Sequence, residues 1–259
     1  MELLKRKIPA VRSKAEKNPR RGRVFLVGAG PGDPELLTLK AFRLLQTADA
    51  VLYDALVGEE ILKLIPKGVE KIYVGKRRGN HFRTQEEINL LLLKLARTGK
   101  RVVRLKGGDP FIFGRGGEEL LFLTSEGVDV EVVPGVSSFY AAPQLFGIPL
   151  THRGVASSFT VVTGHRTDNI DWKALAASDT LVFLMAVSNR VEIAEKLLEA
   201  GRPWDEPVAF ISNAYRKGGR LVKTSLGNLV SFPPQVESPA VMVVGKVVNL
   251  ANGLPQRGG

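Results

Sequence analysis

The sequence predicts an α/β protein built as two α/β units, with a mainly parallel sheet in the first and a mixed sheet in the second. Three observations support this. Short apolar runs alternate with amphipathic stretches along almost the whole chain, the pattern of strands crossing over through helices. Five apolar runs are spent by Val133, where the turn signal Pro134-Gly135 follows. Later, Gly218-Gly219 separates two further runs closely enough for a hairpin, which introduces antiparallel pairing into the second half.

Each element has its local reason. Val24–Val27 is a short apolar run ending at Gly28, and 35–45 carries helical spacing through Leu36, Leu39, Leu44 and Leu45. Ala50–Tyr53 and Lys71–Val74 read as the next two strands. Thr84, with Glu87 three residues on, makes a capping box for a helix running to Arg97, and Gly99 closes it. A fourth strand is expected at Arg101–Leu105, a helix at Glu118–Ser125 and a fifth strand at Val128–Val133. A helix over Val136–Phe146 bridges to the second unit. There, strands are expected at Ser158–Thr163, Thr180–Met185, Pro207–Ser212, Arg220–Thr224 and Val241–Val244, with a helix at Arg190–Ala200. The organisation is then a leader at 1–22, an N-terminal unit at 23–134, a bridge at 135–149, a C-terminal unit at 150–250 and a tail at 251–259.

Composition narrows the chemistry. Among 259 residues there is no cysteine, which removes disulfides, zinc-thiolate sites and thiol nucleophiles. Three scattered histidines give no metal site, so none is expected. No apolar run approaches the roughly 18 residues that span a bilayer, and the expectation is a cytoplasmic protein without a membrane partner. The formal charge is +11, but residues 1–23 carry nine basic side chains against Glu2 and Glu16, which is +7 of that total. The excess therefore sits in a leader lacking apolar periodicity, read as a flexible extension. A nucleic-acid-binding arm or a transit peptide are the competing readings of it. The body is only mildly basic, so a nucleic-acid partner is not expected.

Ligands of open α/β sheets sit at the carboxyl ends of strands, and three glycine-bearing clusters fall there. The first is Gly28-Ala29-Gly30-Pro31-Gly32-Asp33-Pro34. A dinucleotide fingerprint would place its third glycine one position later, and Pro31 removes an amide that a pyrophosphate would use. The second cluster, from Lys106 to Glu119, combines five glycines with Phe111, Phe113, Arg115 and paired glutamates. A run so costly in backbone entropy points to function. The third, Pro134-Gly135-Val136-Ser137-Ser138, lies at the junction between the units.

These segments resemble the class III tetrapyrrole methyltransferases. The likeness extends through Val51-Leu52-Tyr53-Asp54, Val74-Gly75-Lys76-Arg77, Gly147-Ile148-Pro149-Leu150-Thr151-His152-Arg153, Val162-Thr163-Gly164-His165 and Ser238-Pro239-Ala240, in order over nearly all the chain after the leader. The Gly107–Glu119 run discriminates most, and within the family it matches the members that methylate uroporphyrinogen III. The resemblance implies two α/β domains, usually as a homodimer, with S-adenosyl-L-methionine (SAM) in the cleft and S-adenosyl-L-homocysteine as product. It also implies methylation at C2 and C7 to precorrin-2, feeding sirohaem or cobalamin synthesis.

Carried residue by residue, the resemblance implies a SAM site of Pro31, Gly107, Gly108, Asp109, Ile112, Ser137, Ser138, Met185 and Ala214. Asp54 is the implied proton acceptor and Lys76 the implied donor. Family members often have Thr-Ala where this chain has Ser137-Ser138, and many carry an arginine where this chain has Ala55. A substrate with eight carboxylates calls for cations, and the candidates are Arg115, His152, Arg153 and His165, with Glu118 orienting one of them. The basic leader would help attract such a polyanion.

Overall fold

The computed structural model describes residues 22–75 and 84–251. The leader before residue 22, the tail after residue 251, and Lys76, Arg77 and His81 lie outside them.

The first sheet is wholly parallel. Its strands are β1 (Arg23–Gly28), β2 (Ala50–Tyr53), β3 (Glu70–Tyr73), β4 (Arg101–Lys106) and β5 (Asp129–Val133), in the order β3-β2-β4-β1-β5. Helices α1 (Leu39–Thr47) and α2 (Glu59–Lys63) cover one face, and α3 (Gln85–Arg97) and α4 (Gly116–Ser125) cover the other. Alternation along the strands divides the core accordingly. Phe25, Val27, Val103 and Leu105 meet α1 and α2, whereas Val24, Leu26 and Val102 meet α3 and α4. A parallel sheet covered on both faces needs near-continuous apolar strands, and β1 supplies one.

The second sheet is mixed, with β6 (Phe159–Thr163), β7 (Thr180–Leu184), β8 (Pro207–Ser212), β9 (Arg220–Ser225) and β10 (Ala240–Val244) in the order β6-β7-β10-β8-β9. Only β6 and β7 pair in parallel. The expected hairpin is β8–β9, turned through Gly218 at φ 82°. Helices α6 (Trp172–Ala176), α7 (Arg190–Glu199) and α8 (Leu226–Ser231) pack on one face. The other face receives Ala142 of α5 (Ser138–Leu145) with Phe146 and Ile148.

Differences from the expected elements are local. The single helix expected over 35–45 is a three-residue 3-10 turn, Pro34–Leu36, followed by α1. Leu37 is extended between them, and the Thr38 side chain accepts from the Ala41 amide to start the second piece. Three helices went unpredicted (α2, α6 and α8), each of five or six residues and so too short to establish a 3.6-residue period. The capping box at Thr84 is formed in both directions, with the Glu87 carboxylate accepting from Thr84 N–H at 2.7 Å.

Candidate active site

Strands β1 and β4 are neighbours, yet the chain leaves β1 toward α1 on one face and leaves β4 toward α4 on the other. That divergence opens a crevice at their carboxyl ends, the topological switch point of the sheet. The first two glycine clusters are the loops that bound it. Gly30 and Gly108 exchange backbone hydrogen bonds across it, at 3.2 and 2.8 Å.

The third cluster packs against the same place. A Cβ on Gly28 would stand 2.6 Å from Gly108 O, and one on Gly135 would stand 2.3 Å from that oxygen. Three backbones therefore meet where no side chain fits, which is the physical reason for glycine at both positions. Asp109 ties the loops together. Its Oδ2 accepts from Gly135 N–H at 3.0 Å and its Oδ1 from Phe111 N–H at 2.8 Å.

The second half closes the crevice from the opposite side. Met185 follows β7, 213–216 follow β8, and Ser238-Pro239 precede β10. Together these loops enclose a cavity of about 610 Å³, within the range of roughly 300–1,000 Å³ that holds drug-sized ligands. Five non-glycine residues among those described have positive φ: Phe113, Arg115, Met185, Asn213 and Tyr215. All five lie in these loops, and Phe113, Met185 and Asn213 line the cavity. Strain concentrated at one site marks it as functional.

All nine residues expected to hold the cofactor line this cavity: Pro31, Gly107, Gly108, Asp109, Ile112, Ser137, Ser138, Met185 and Ala214. Met185 is 51% exposed, an apolar side chain presented to the cleft rather than to the core. The substrate candidates divide. His165 lines the cavity, whereas Arg115, Glu118, His152 and Arg153 do not. Arg115 and Glu118 form a two-pronged pair at 2.9 and 2.6 Å on the exposed start of α4. The pairing raises the Arg115 pKa and lowers that of Glu118, each chiefly through the shared hydrogen bond. His152 and Arg153 are exposed in the loop after α5, where His152 bridges to Ala156.

Asp54 sits just past β2, outside the cavity wall formed by its neighbours Ala55 and Leu56. Its Oδ1 accepts from Leu56 N–H at 3.0 Å and its Oδ2 from Arg104 Nη2 at 3.0 Å. Lys76 lies outside the described residues. The β2–β3 register sets Tyr53 beside Tyr73, so the chain toward it departs from next to Asp54.

Sequence reasoning missed two features. Arg216 reaches across the cleft from the second half, donating to Pro31 O at 3.4 Å through Nε and to Leu56 O through Nη2. Burial lowers its pKa, and Asp54 opposes that shift by its charge. The other feature is a buried ionic cluster of Arg104, Lys106 and Glu119 under the end of β4. Its signal was in the sequence, as two cations at alternate positions of a strand otherwise apolar past its first residue. Among the described residues, no group of three or more histidine or acidic side chains is arranged to hold a metal. Nor is any described helix long and apolar enough to cross a membrane.

Fold and cleft together define an α/β protein of two five-stranded sheets with a ligand site at the switch point of the first. Residues 23–230 match the family of Tetrapyrrole (Corrin/Porphyrin) Methylases. The chain is 48% identical over 237 residues to uroporphyrinogen-III C-methyltransferase of Methanocaldococcus jannaschii, covering 88% of this chain and 98% of that protein. It is also 48% identical over 241 residues to siroheme synthase of Chromobacterium violaceum, covering 91% of this chain and 51% of that one, so it spans about half the length of that longer relative. Among solved structures, uroporphyrin-III C-methyl transferase of Thermus thermophilus complexed with S-adenyl homocysteine superposes with a TM-score of 0.79. It shares 51% identity over 88% of this chain and all of that one. The chain belongs to the tetrapyrrole methylase family.

Proposed function

We propose that the protein catalyses SAM-dependent C-methylation of uroporphyrinogen III, at C2 and C7, to precorrin-2. The proposal takes the protein as a cytoplasmic homodimer with units at 23–134 and 150–250, joined by the bridge at 135–149. The observation that carries the function is the cavity at the switch point, lined by all nine residues that resemblance assigns to the cofactor.

The lining fits SAM. Gly107 and Gly108 put no side chain into the cavity, and at 107 none fits, since a Cβ there would stand 2.7 Å from Leu56 O. Ile112 and Met185 supply apolar contact. Asp109 uses each carboxylate oxygen once, which leaves acceptor capacity for ribose hydroxyls. When bound in this lining, SAM would supply an electrophilic methyl group on a sulfonium, with S-adenosylhomocysteine as the leaving product.

The protein's own residues have two tasks. They hold the acceptor carbon in line with the methyl group, and they take the proton that the methylated ring gives up. Asp54, fixed at both oxygens beside the cavity wall, is the acceptor for that proton, and Lys76 is the donor. His165 lines the cavity itself. Arg115, His152 and Arg153 stand outside it, as cations for the substrate's carboxylates.

Anaerobic incubation with SAM and uroporphyrinogen III, read by mass spectrometry, tests the function directly. Two added methyl groups are expected. Binding of S-adenosylhomocysteine without transfer would move the acceptor to a later corrinoid precursor. Asp54→Ala is expected to depress turnover far more than SAM binding, and unchanged turnover would remove Asp54 from the mechanism.

A further inference from the structure

The face of the first sheet beneath α3 and α4 is apolar along most of its length, with Val24, Leu26, Leu52 and Val102 packed against Leu92 and Leu123. At the carboxyl end of β4 this pattern stops. Arg104 and Lys106 occupy the next two positions on that face, and Glu119 of α4 lies over both. They are 4%, 5% and 0% exposed. A single oxygen, Glu119 Oε1, accepts from Arg104 Nε at 3.2 Å, Lys106 Nζ at 3.0 Å and Gln85 Nε2 at 3.2 Å.

The guanidinium spends its other nitrogens in two directions. Nη1 donates to Leu105 O at 3.1 Å, and Nη2 donates to Asp54 Oδ2 at 3.0 Å. With Leu56 N–H on Oδ1, both oxygens of Asp54 are held, one by the cavity wall and one by the buried cluster. Two cations and two carboxylates balance to zero charge.

Fold stability does not account for this arrangement. Removing ions from water is costly, and well-packed apolar residues of similar volume often serve at least as well. The second carboxylate oxygen, Glu119 Oε2, is buried with no partner among the described residues, which a purely structural cluster would be expected to avoid. The charges begin where the strand reaches the cleft, and they terminate on Asp54.

We propose that Arg104, anchored by Glu119, is a positioning residue that fixes the Asp54 carboxylate for proton removal; this rests on the reading of Asp54 as proton acceptor. Lys106 completes the anchor by sharing Glu119 Oε1 with Arg104, so the glutamate is held between two cations. Burial, with Arg104 adjacent, lowers the Lys106 pKa. A lysine in place of Arg104 keeps the charge but loses the planar fork that reaches Glu119, Leu105 and Asp54 at once.

The test uses the full-length protein with Arg104→Lys, Glu119→Gln, Asp54→Asn and the combination of each of the first two with Asp54→Asn. Single-turnover methyl transfer, KM for uroporphyrinogen III and S-adenosylhomocysteine affinity are measured on all of them. Arg104→Lys is expected to lower the transfer rate between about ten-fold and a hundred-fold, as a misplaced catalytic group does. Affinity for S-adenosylhomocysteine should change by less than about two-fold, and so should the rate when Arg104→Lys is added to Asp54→Asn, since residues acting as one unit are non-additive. Glu119→Gln should show a smaller loss with the same dependence on Asp54.

Equal losses in both backgrounds, or a parallel loss of S-adenosylhomocysteine binding, would mean that the cluster is only structural. A wild-type protein that leaves uroporphyrinogen III unmethylated would sink the proposed function instead. The positioning claim is then decided by a crystal structure of the Arg104→Lys protein, in which Asp54 should leave its hydrogen bond with Leu56 N–H. An Asp54 that stays in place overturns the inference without reference to activity.

Discussion

Gly135→Ala should damage the protein far more than one methyl group ordinarily does. The added Cβ would stand 2.3 Å from Gly108 O and 2.7 Å from Gly28 Cα, all backbone atoms that no rotamer change can move. The loop after β5 must therefore shift away from the loops after β1 and β4. Overpacking of this kind costs about 1–3 kcal/mol. The shift also pulls Gly135 N–H from the Asp109 carboxylate, a bond to a charged acceptor worth roughly 1.5–3 kcal/mol. The combined loss is roughly 2.5–6 kcal/mol, a large share of the 5–15 kcal/mol that folded proteins possess. Because the same loops form the cavity, S-adenosylhomocysteine affinity should fall at least about ten-fold, which needs only 1.4 kcal/mol of lost contact. Urea denaturation followed by circular dichroism reads the first quantity and titration calorimetry the second. Gly117→Ala is the control, since its Cβ would meet nothing within 4 Å and it lies inside α4. It should leave stability within about 0.5 kcal/mol of wild type. A Gly135→Ala protein as stable as wild type, with unchanged affinity, would refute the close-approach argument.

Arg216→Ala removes the side chain that bridges from the second half to Pro31 and Leu56. Calorimetry should show S-adenosylhomocysteine bound about ten-fold more weakly, as loss of a hydrogen-bonded charge of this kind implies, and unchanged affinity would show the bridge to be idle. Glu206 has its pKa raised by burial, against the opposing charge of Arg202. Between the ordinary carboxylate value and the raised one the folded state binds more protons than the unfolded, so stability falls as pH rises through that window. Glu206→Gln should flatten that slope in urea denaturation between pH 4 and 7, and an unaltered slope would place its origin elsewhere. Phe210, fully buried on β8, should cost about 3–5 kcal/mol as Phe210→Ala, measured by the same denaturation; a smaller loss would show that the core collapses around the gap.

How much could be read in advance depended on the distance over which each signal acts. Ala50–Tyr53, Pro207–Ser212 and the start of α3 at Thr84 were legible to the residue, because a short apolar run and a capping box are written within a few positions. The nine residues that motif resemblance assigns to a cofactor all line one cavity. Arg216 was not legible. Its role comes from a loop 160 residues from Leu56 in sequence, and nothing near Tyr215 signals that contact. Arg104 and Lys106 lay in plain view on β4, but two cations on a buried face acquire meaning only when Glu119 is seen above them.

The separation between cavity and rim bears on how one cleft handles two unlike ligands. A site for eight carboxylates should be rich in cations, yet the cavity wall is mostly glycine, small residues and apolar side chains, with His165 and Arg216 its only basic members among those described. Arg115 and Arg153 are outside it and exposed. A cavity lined this way suits a cofactor held by backbone and apolar contact. Exposed cations outside the cavity suit a polyanion that is never fully taken from water, where pairing avoids the desolvation that burial would impose. Asp54 lies just outside the cavity lining, with one oxygen held by Leu56 N–H of the cavity wall and the other by Arg104 of the buried cluster.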